Sequence, residues 1–398
     1  MKPLIILGCS GKKRNNRSPA SDLYLSDRFT IGRNICKEYS EKWLILSAKY
    51  GLIDPSAIVD PYDLTLSDLD NRSVEKWVIE VSNDIKSVLL EKQPVIFIGD
   101  PTYFKDVSKN LIKQNIIIYI PFKHISKFRR CEWLKGCLRE SKRTQDLNRM
   151  YELLNQKAFK DKFHFKFPNL SGGKIISKRG VYLFTMDSEA RLFHSDIERI
   201  VRVGTHAVSY KSKSTLWQRL KTHRGKNNGS GNHRSSVFRL HIGSSIINKE
   251  SLVCPTWGIG QSKPEFDHPI EPKIERLVSE YMLAMSVMYI SVNDKASKFS
   301  DRAYLEQNMI ALISEQRIPL DVADENWLGF NCINESVQKS SIWNVNYTDK
   351  HYDPRFIDVL EKYIDFMIKG DLKANRSIAP KNWWFEAKSN YKQMMLSI

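Results

Sequence analysis

The sequence predicts a two-domain chain of mixed helix and sheet. An α/β domain with a parallel sheet comes first, and an α+β domain with a small sheet flanked by helices follows. Three observations predict this. The chain has 398 residues, too many for one ordinary domain. Four short apolar runs punctuate the first 125 residues without alternating with polar ones. A stretch broken by Pro168 and Gly172-Gly173, "FHFKFPNLSGGKIISKRG", then separates them from a differently patterned second half. With 41% hydrophobic residues, both halves can bury a core.

The four runs are "LIILGCS", "KWLILSAKYG", "PVIFIGD" and "NIIIYIPF". Ile, Val and Leu without alternation mark strands buried on both faces of a largely parallel sheet. Helical patterns lie between them. In "DLDNRSVEKWVIEVSNDIKSVLLEK", Asp70 or Asn71 is placed to cap the helix start. Strands alternating with helices give a Rossmann-like domain over residues 1–165. Its last piece, "ISKFRRCEWLKGCLRESKRTQDLNRMYELLNQ", predicts a basic helix. From Lys123 to Arg149 there are nine Lys/Arg against three acids, with Phe128 and Trp133 interleaved. That composition suits a helix on DNA, with Arg129 and Arg130 as contacts. A merely solvated helix is the alternative.

In the second half, "RGVYLFTM" and "ERIVRVGTHAV" predict two strands joined by a loop at 187–196. "STLWQRLKTHRG" predicts a short helix and "GKNNGSGNHRSS" a polar loop. After Pro272, "KIERLVSEYMLAMSVMYISV" starts as a helix, and "DRAYLEQNMIALISEQ" is another. "DPRFIDVLEKYIDFMIKG" is an amphipathic helix. These elements place a second domain at 174–350 and a helical extension at 351–398.

The formal net charge is +17, which favours a polyanionic partner. The charge is uneven. Residues 201–250 carry ten Lys/Arg and the single acid Glu250, whereas residues 51–100 carry four Lys/Arg and ten acids. The six cysteines form no CxxC pair and no Cys/His group with zinc spacing. They read as free thiols of a reducing compartment, with a cytoplasmic location expected. The N-terminal apolar run is too short for a signal peptide. No run of about 20 apolar residues occurs, so no membrane span is expected.

Arg219 and His223 stand four residues apart, on one face of the predicted helix in the most basic stretch. An arginine at a scissile phosphate stabilises the charge that develops on its oxygens. A histidine one turn away can position or protonate. The pair alone says little, because an exposed Arg and His on a helix are ordinarily just solvated. Its neighbours in chain order say more. "GVYLF" stands at 180–184 and "RVG" at 202–204. After the pair come Glu306 in "YLEQNMIALIS" and Asn344 in "SIWNVN".

This ordered series resembles the GIY-YIG nuclease family over residues 179–348. The resemblance implies a metal-dependent endonuclease that hydrolyses DNA phosphodiester bonds, in restriction, phage defence or DNA repair. It implies a catalytic set of Tyr182, Arg202, Arg219, His223, Glu306 and Asn344. Tyr182 would lie beside the attacking water, Arg219 on the phosphate, and His223 at a position found in restriction-type members. Asn344 would close the site. Glu306 would hold a single Mg²⁺, with Mn²⁺ as a substitute. A hard oxygen with few protein partners suits such a hydrated cation. Glu275 and Glu280 are rivals for that role. Arg202 stands where the family has a tyrosine, and a cation there can hold a phosphate or act on a neighbouring phenol.

Double-stranded DNA is the implied partner, and one site per chain makes a homodimer attractive. Lys221, Arg224, Arg234, Arg239 and His241 read as DNA ligands beside the site. Two other functions stay open. One is a DNA-binding protein with a decayed nuclease fold, and the other a base glycosylase joined to a nuclease.

In the first domain, "LGCSGKKR", "DLYLSDRF", "ILSAKYGLIDP", "DPYDLTL" and "PFKHISKFRRCEWLKGCL" form a second ordered series. It resembles a bacterial family of uncharacterised α/β domains often fused to nucleases. More distantly it resembles the peroxide-stress DNA-binding family, through S-x-x-Y-G-L at 47–52 and P-Y at 61–62. That resemblance implies a cleft at the strand C-terminal ends, built from Cys9, Ser10, Asp22, Tyr24, Ser47, Lys49, Tyr50, Tyr62 and Asp63. Its implied ligand is DNA or a nucleobase, including a modified base or one flipped from the duplex. Asp60, Asp63 and Lys49 could act on a glycosidic bond, or equally cap helices and stabilise turns.

Overall fold

A computed structural model describes residues 2–384 except 124, 176, 227, 261–268, 315, 317–319 and 372–376. The rest of the expected C-terminal extension lies outside the described residues. The chain packs as two compact units, each with its own sheet. One comprises Met1–Gln145, Ser188–Arg199 and Arg317–Trp327. The other comprises Asp146–Asp187, Ile200–Gln316 and Leu328–Ile398. Among the described residues no helix is long and apolar enough to cross a membrane.

The first unit is built on strands β1 (Leu4–Gly8), β2 (Trp43–Ser47), β3 (Gly51–Ile53), β4 (Val95–Ile98) and β5 (Ile118–Tyr119). They lie in the order β3-β2-β1-β4-β5. β1 runs parallel to β2 and β4, and β4 parallel to β5; β3 turns back antiparallel. The four apolar runs are these four parallel strands. Alternate β1 residues face two separate cores, Ile5 and Leu7 on one side and Leu4 and Ile6 on the other. Helix α1 (Asp27–Tyr39) covers the first face, while α2 (Asn71–Val88) and α3 (Pro101–Ile112) cover the second. Burial on both faces explains the absence of polar alternation. Asp70 caps α2 by accepting the Ser73 N–H at 2.9 Å.

The expected single basic helix is broken. A short helical piece at Arg130–Lys135 runs on to Glu140, and a new helix, α4, occupies Lys142–Leu154. Ser141 is extended, and its Oγ accepts the Thr144 N–H at 3.1 Å, so it starts α4 as a cap. Trp133 and Arg130 are buried. Arg130 donates to the carbonyls of Ile125 and Phe122 and to Asp100 at 3.2 Å. The expectation that Arg130 meets DNA is therefore corrected. Arg129 and Phe128 are exposed.

The second unit is built on β6 (His164–Lys166), β7 (Gly180–Arg191), β8 (His194–Gly204) and β9 (Met285–Ser291), in the order β8-β7-β9-β6. The expected loop at 187–196 shrinks to Leu192 and Phe193, because both strands run on. Their shared extension, Ser188–Arg199, belongs to the first unit. Two ion pairs lie buried there: Arg199 with Glu189 at 2.7 Å, and Arg191 with Asp321 at 2.7 Å. The helices are α5 (Leu216–Arg224), α6 (Val237–Lys249), α7 (Glu271–Leu283), α8 (Asp301–Ile313) and α9 (Phe356–Lys369).

Candidate active site

The two motif glycines are required by close packing. β7 lies antiparallel to β9, with Gly180 opposite Ser291 and Tyr182 opposite Tyr289. A Cβ on Gly180 would overlap the carbonyl oxygen of Ile290. A Cβ on Gly204, at the end of β8, would overlap the phenol of Tyr182. Glycine at 180 lets β7 approach the β9 backbone, and glycine at 204 leaves room for the phenol.

Helix α5 begins at a capping box of Thr215 and Gln218 and ends at Gly225, whose φ of 77° suits glycine. It turns His223 fully inward and leaves Arg219 partly exposed. His223 Nε2 lies 2.8 Å from Tyr182 Oη, and its Nδ1 lies 2.8 Å from Ser236 Oγ. Burial, reinforced by Arg219, Arg202 and Arg239, pushes the imidazole pKa well below its ordinary value. The ring is therefore neutral and carries one proton. Ser236 caps α6, its Oγ accepting the Arg239 N–H at 3.2 Å. The only acceptor within reach of the Ser236 hydroxyl proton among the described residues is Nδ1. That assigns the hydrogen to Nε2, which donates to Tyr182.

Glu306 sits mid-way along α8, a helix capped by Ser300. Its Oε1 accepts the N–H of Thr205, the residue after Gly204, at 3.0 Å. Its Oε2 has no protein partner among the described residues. Burial raises its pKa to about 7, against the pull of Arg202, the Thr205 N–H, Arg219 and Arg302. Arg202 is buried against the Phe238 ring at 4.6 Å and donates to the Trp343 carbonyl. Burial lowers its pKa, while Tyr182 and Glu306 support its charge. A phenol, a carboxylate and two guanidiniums thus act on one another electrostatically. Among the described residues no group of three His, Cys, Asp or Glu side chains is placed to hold a metal ion. Glu306 does fit one hydrated divalent cation: it has a spare hard oxygen and a charge that burial penalises.

Residues 141–369, more than half of the chain, match the family model described as GIY-YIG domain. The chain belongs to the GIY-YIG family. Residues 4–136 match a separate model, described as a family of unknown function, DUF6884. No curated protein and no solved structure matches. A GIY-YIG domain indicates a nuclease family with DNA as substrate.

Several side chains of the GIY-YIG unit sit otherwise than their sequence suggests. Asn344 uses both ends of its amide on the backbone of Val203, accepting its N–H at 3.0 Å and donating to its carbonyl at 2.8 Å. It clamps β8. Glu275 is fully engaged, by the N–H and ring of His233 and by Arg239 at 2.6 Å, and Glu280 is exposed on α7. Arg239 is fully buried on Glu275, so it is a core cation and not a DNA ligand. Arg234 is spent on Glu271 at 2.8 Å and on the carbonyls of Thr256 and Ile259. His241 is half-buried with its pKa lowered to about 4 by burial, so it offers no charge to a phosphate. Arg224 donates to the Leu170 carbonyl at 2.8 Å and lies over Trp217. Lys221 is exposed and has no partner among the described residues.

Ser236, Thr205 and Tyr347 escaped sequence reasoning. Tyr347 holds a φ of 66°, a left-handed conformation uncommon for a tyrosine, and is 37% exposed. Its phenol lies in the field of Glu306. None of the three belongs to a motif with a readable spacing.

In the first unit, Tyr24, Ser47, Tyr50, Tyr62 and Lys49 converge at the C-terminal ends of β1 and β2. Cys9 is half-buried and acts electrostatically on Tyr24 and Tyr62. Asp22 is paired with Arg33 at 2.7 Å, Asp63 is exposed, and among the described residues the Ser10 hydroxyl reaches only the Lys12 carbonyl.

Proposed function

We propose that this chain is an active, metal-dependent endonuclease that hydrolyses phosphodiester bonds in double-stranded DNA. One observation carries the reading. The half-buried Glu306, with one oxygen spare, shares its field with Arg202 and Arg219, and Arg202 in turn with Tyr182. Tyr182 orients the attacking water. Its oxygen is held by the His223 N–H and by the Arg202 guanidinium, which leaves its own proton for that water. Ser236 fixes the histidine tautomer, so the phenol is held without a mobile charge behind it. Arg219, partly exposed, meets the phosphoryl oxygens and stabilises the charge that grows on them. Arg202 adds a second positive charge from beneath. Glu306 would hold one Mg²⁺, or Mn²⁺ in its place. That ion, when bound, polarises a phosphoryl oxygen and neutralises charge on the leaving group.

The presence of all four reacting side chains speaks against a decayed site. The first unit would serve as the recognition module for DNA or a modified base. Restriction, phage defence or repair in the cytoplasm is the setting that fits such a pairing, and a homodimer would cut both strands. Nicking of supercoiled plasmid and of a panel of modified and unmodified phage DNAs, in Mg²⁺ and in EDTA, tests this. Metal-dependent nicking of at least one DNA is expected. A folded protein that nicks none of them in Mg²⁺ or Mn²⁺ would overturn it.

A further inference from the structure

The first unit holds a polar cluster that phosphodiester chemistry leaves idle. Three hydroxyls form a row: Ser47 Oγ lies 2.7 Å from Tyr62 Oη, which lies 3.0 Å from Tyr24 Oη. Ser47 is fully buried at the end of β2, and its Oγ accepts two backbone N–H groups, from Lys49 at 3.2 Å and Tyr50 at 3.1 Å. Both lone pairs are then used, so the Ser47 proton goes to Tyr62. Between the two phenols, one proton serves the 3.0 Å bond. Tyr24 also hydrogen-bonds with Ser47, but the Ser47 oxygen already accepts two backbone N–H groups, so the other proton is poorly satisfied. Tyr24 is 2% exposed, so such a donor has little water to fall back on. Burial pushes the Tyr24 pKa up to about 12 and raises that of Tyr62 as well, so both phenols keep their protons.

The surroundings are cationic and aromatic. Lys13 Nζ stands 4.4 Å from the centre of the Tyr62 ring, and Lys49 Nζ stands 5.0 Å from that of Tyr50. Neither ammonium pairs with a carboxylate among the described residues. Among the described residues the only hydrogen bond the Lys13 ammonium donates is to the Gly11 carbonyl, at 3.3 Å. Of the nearby acids, Asp22 is paired with Arg33, Asp60 faces Arg17 at 4.0 Å, and Asp63 is exposed. The Tyr50 and Tyr62 rings meet edge to face at 5.4 Å, and both are half-buried. A ligand for this place offers an acceptor to the phenol, a flat face to the rings and negative charge to the lysines.

We propose that this cluster is a nucleotide-binding site, with the spare phenol proton of Tyr24 or Tyr62 donated to an acceptor on the base and Lys13 and Lys49 meeting the phosphate. The site deepens the reading of the first unit as a recognition module, and it rests on that reading for its link to DNA. A 5′-nucleotide has two sources here: free in solution, or turned out of a DNA strand.

Calorimetry on the full chain in EDTA tests it. The probes are the four deoxynucleoside 5′-monophosphates and short duplexes carrying one mismatched nucleotide. Binding of at least one probe is expected. Removing both phenolic hydroxyls (Tyr24→Phe with Tyr62→Phe) should weaken it by about tenfold or more, the worth of a lost hydrogen bond. Lys13→Gln with Lys49→Gln, both near the surface, should weaken it and flatten its salt dependence. Binding of a free monophosphate points to a soluble nucleotide, and binding of the mismatched duplex alone points to a base turned out of DNA. A folded parent that binds no probe, or lysine variants that bind as the parent does, overturns the proposal. Cleavage preference among DNAs is read separately on the same variants. If nucleotide binding is lost but preference is kept, the recognition reading falls and the site stands.

Discussion

Replacing Glu306 by glutamine should stabilise the protein while disabling it. The carboxyl pKa rises from an ordinary 4.5 to about 7, chiefly through burial. The native state therefore keeps this proton over a pH range in which the unfolded chain has lost it. Its contribution to stability falls as pH climbs from 4.5 to about 7 and is flat above. Glutamine, with no proton to lose, escapes that fall and still offers an oxygen to the Thr205 N–H. The rise corresponds to about 3 kcal/mol of charging penalty, which solvent at the partly open face trims to about 2–3 kcal/mol. Urea unfolding in EDTA, followed by tryptophan fluorescence, checks this. The advantage of Glu306→Gln should be about 1 kcal/mol near pH ~5.5 and about 2–3 kcal/mol near pH ~8.5. Added Mg²⁺ should stabilise the parent, leave the variant unchanged and so narrow the gap. A difference that does not change with pH, or a variant less stable than the parent near pH ~8.5, would refute the reasoning.

Four further outcomes follow from the geometry. Arg219→Ala should slow cleavage by about 10²–10³, the loss typical of one transition-state donor, with DNA affinity nearly unchanged in a gel-shift titration. Gly204→Ala forces a methyl into the Tyr182 phenol and should cost about 1–3 kcal/mol in urea unfolding as well as activity. Arg239→Met strands the buried carboxylate of Glu275 and should cost about 3–5 kcal/mol, whereas Lys221→Gln should leave stability alone and reduce the salt slope of DNA binding by about 1.

The strands of the first unit were legible because burial on both faces writes itself as unbroken Ile, Val and Leu. The second unit was legible through the order of its motifs, and its glycines have a steric reason that holds in the fold. What stayed hidden was pairing across distance. Arg130, Arg234 and Arg239 read as free cations because their acids, Asp100, Glu271 and Glu275, lie 30, 37 and 36 residues away in the chain. The stretch at 187–196 read as a loop for the same reason. The partner of Arg191 is Asp321, 130 residues on, so its polarity conceals a buried strand. Asn344 reads from the sequence as a residue closing the site, but a clamp on β8 and a ligand in a cleft call for the same residue type. The first unit is also assembled from three stretches of chain, so deleting its N-terminal part would strip Ser188–Arg199 and Arg317–Trp327 of their core. Point variants in the cleft are therefore the cleaner way to separate recognition from cutting.

The most direct measurement is single-turnover cleavage by Glu306→Gln of a DNA that the parent nicks, with binding of the same DNA measured alongside. A single carboxylate that holds the metal predicts that the variant binds this DNA as the parent does and leaves it uncut at every Mg²⁺ concentration. Cleavage at the parent's rate would contradict it and remove Glu306 from the chemistry.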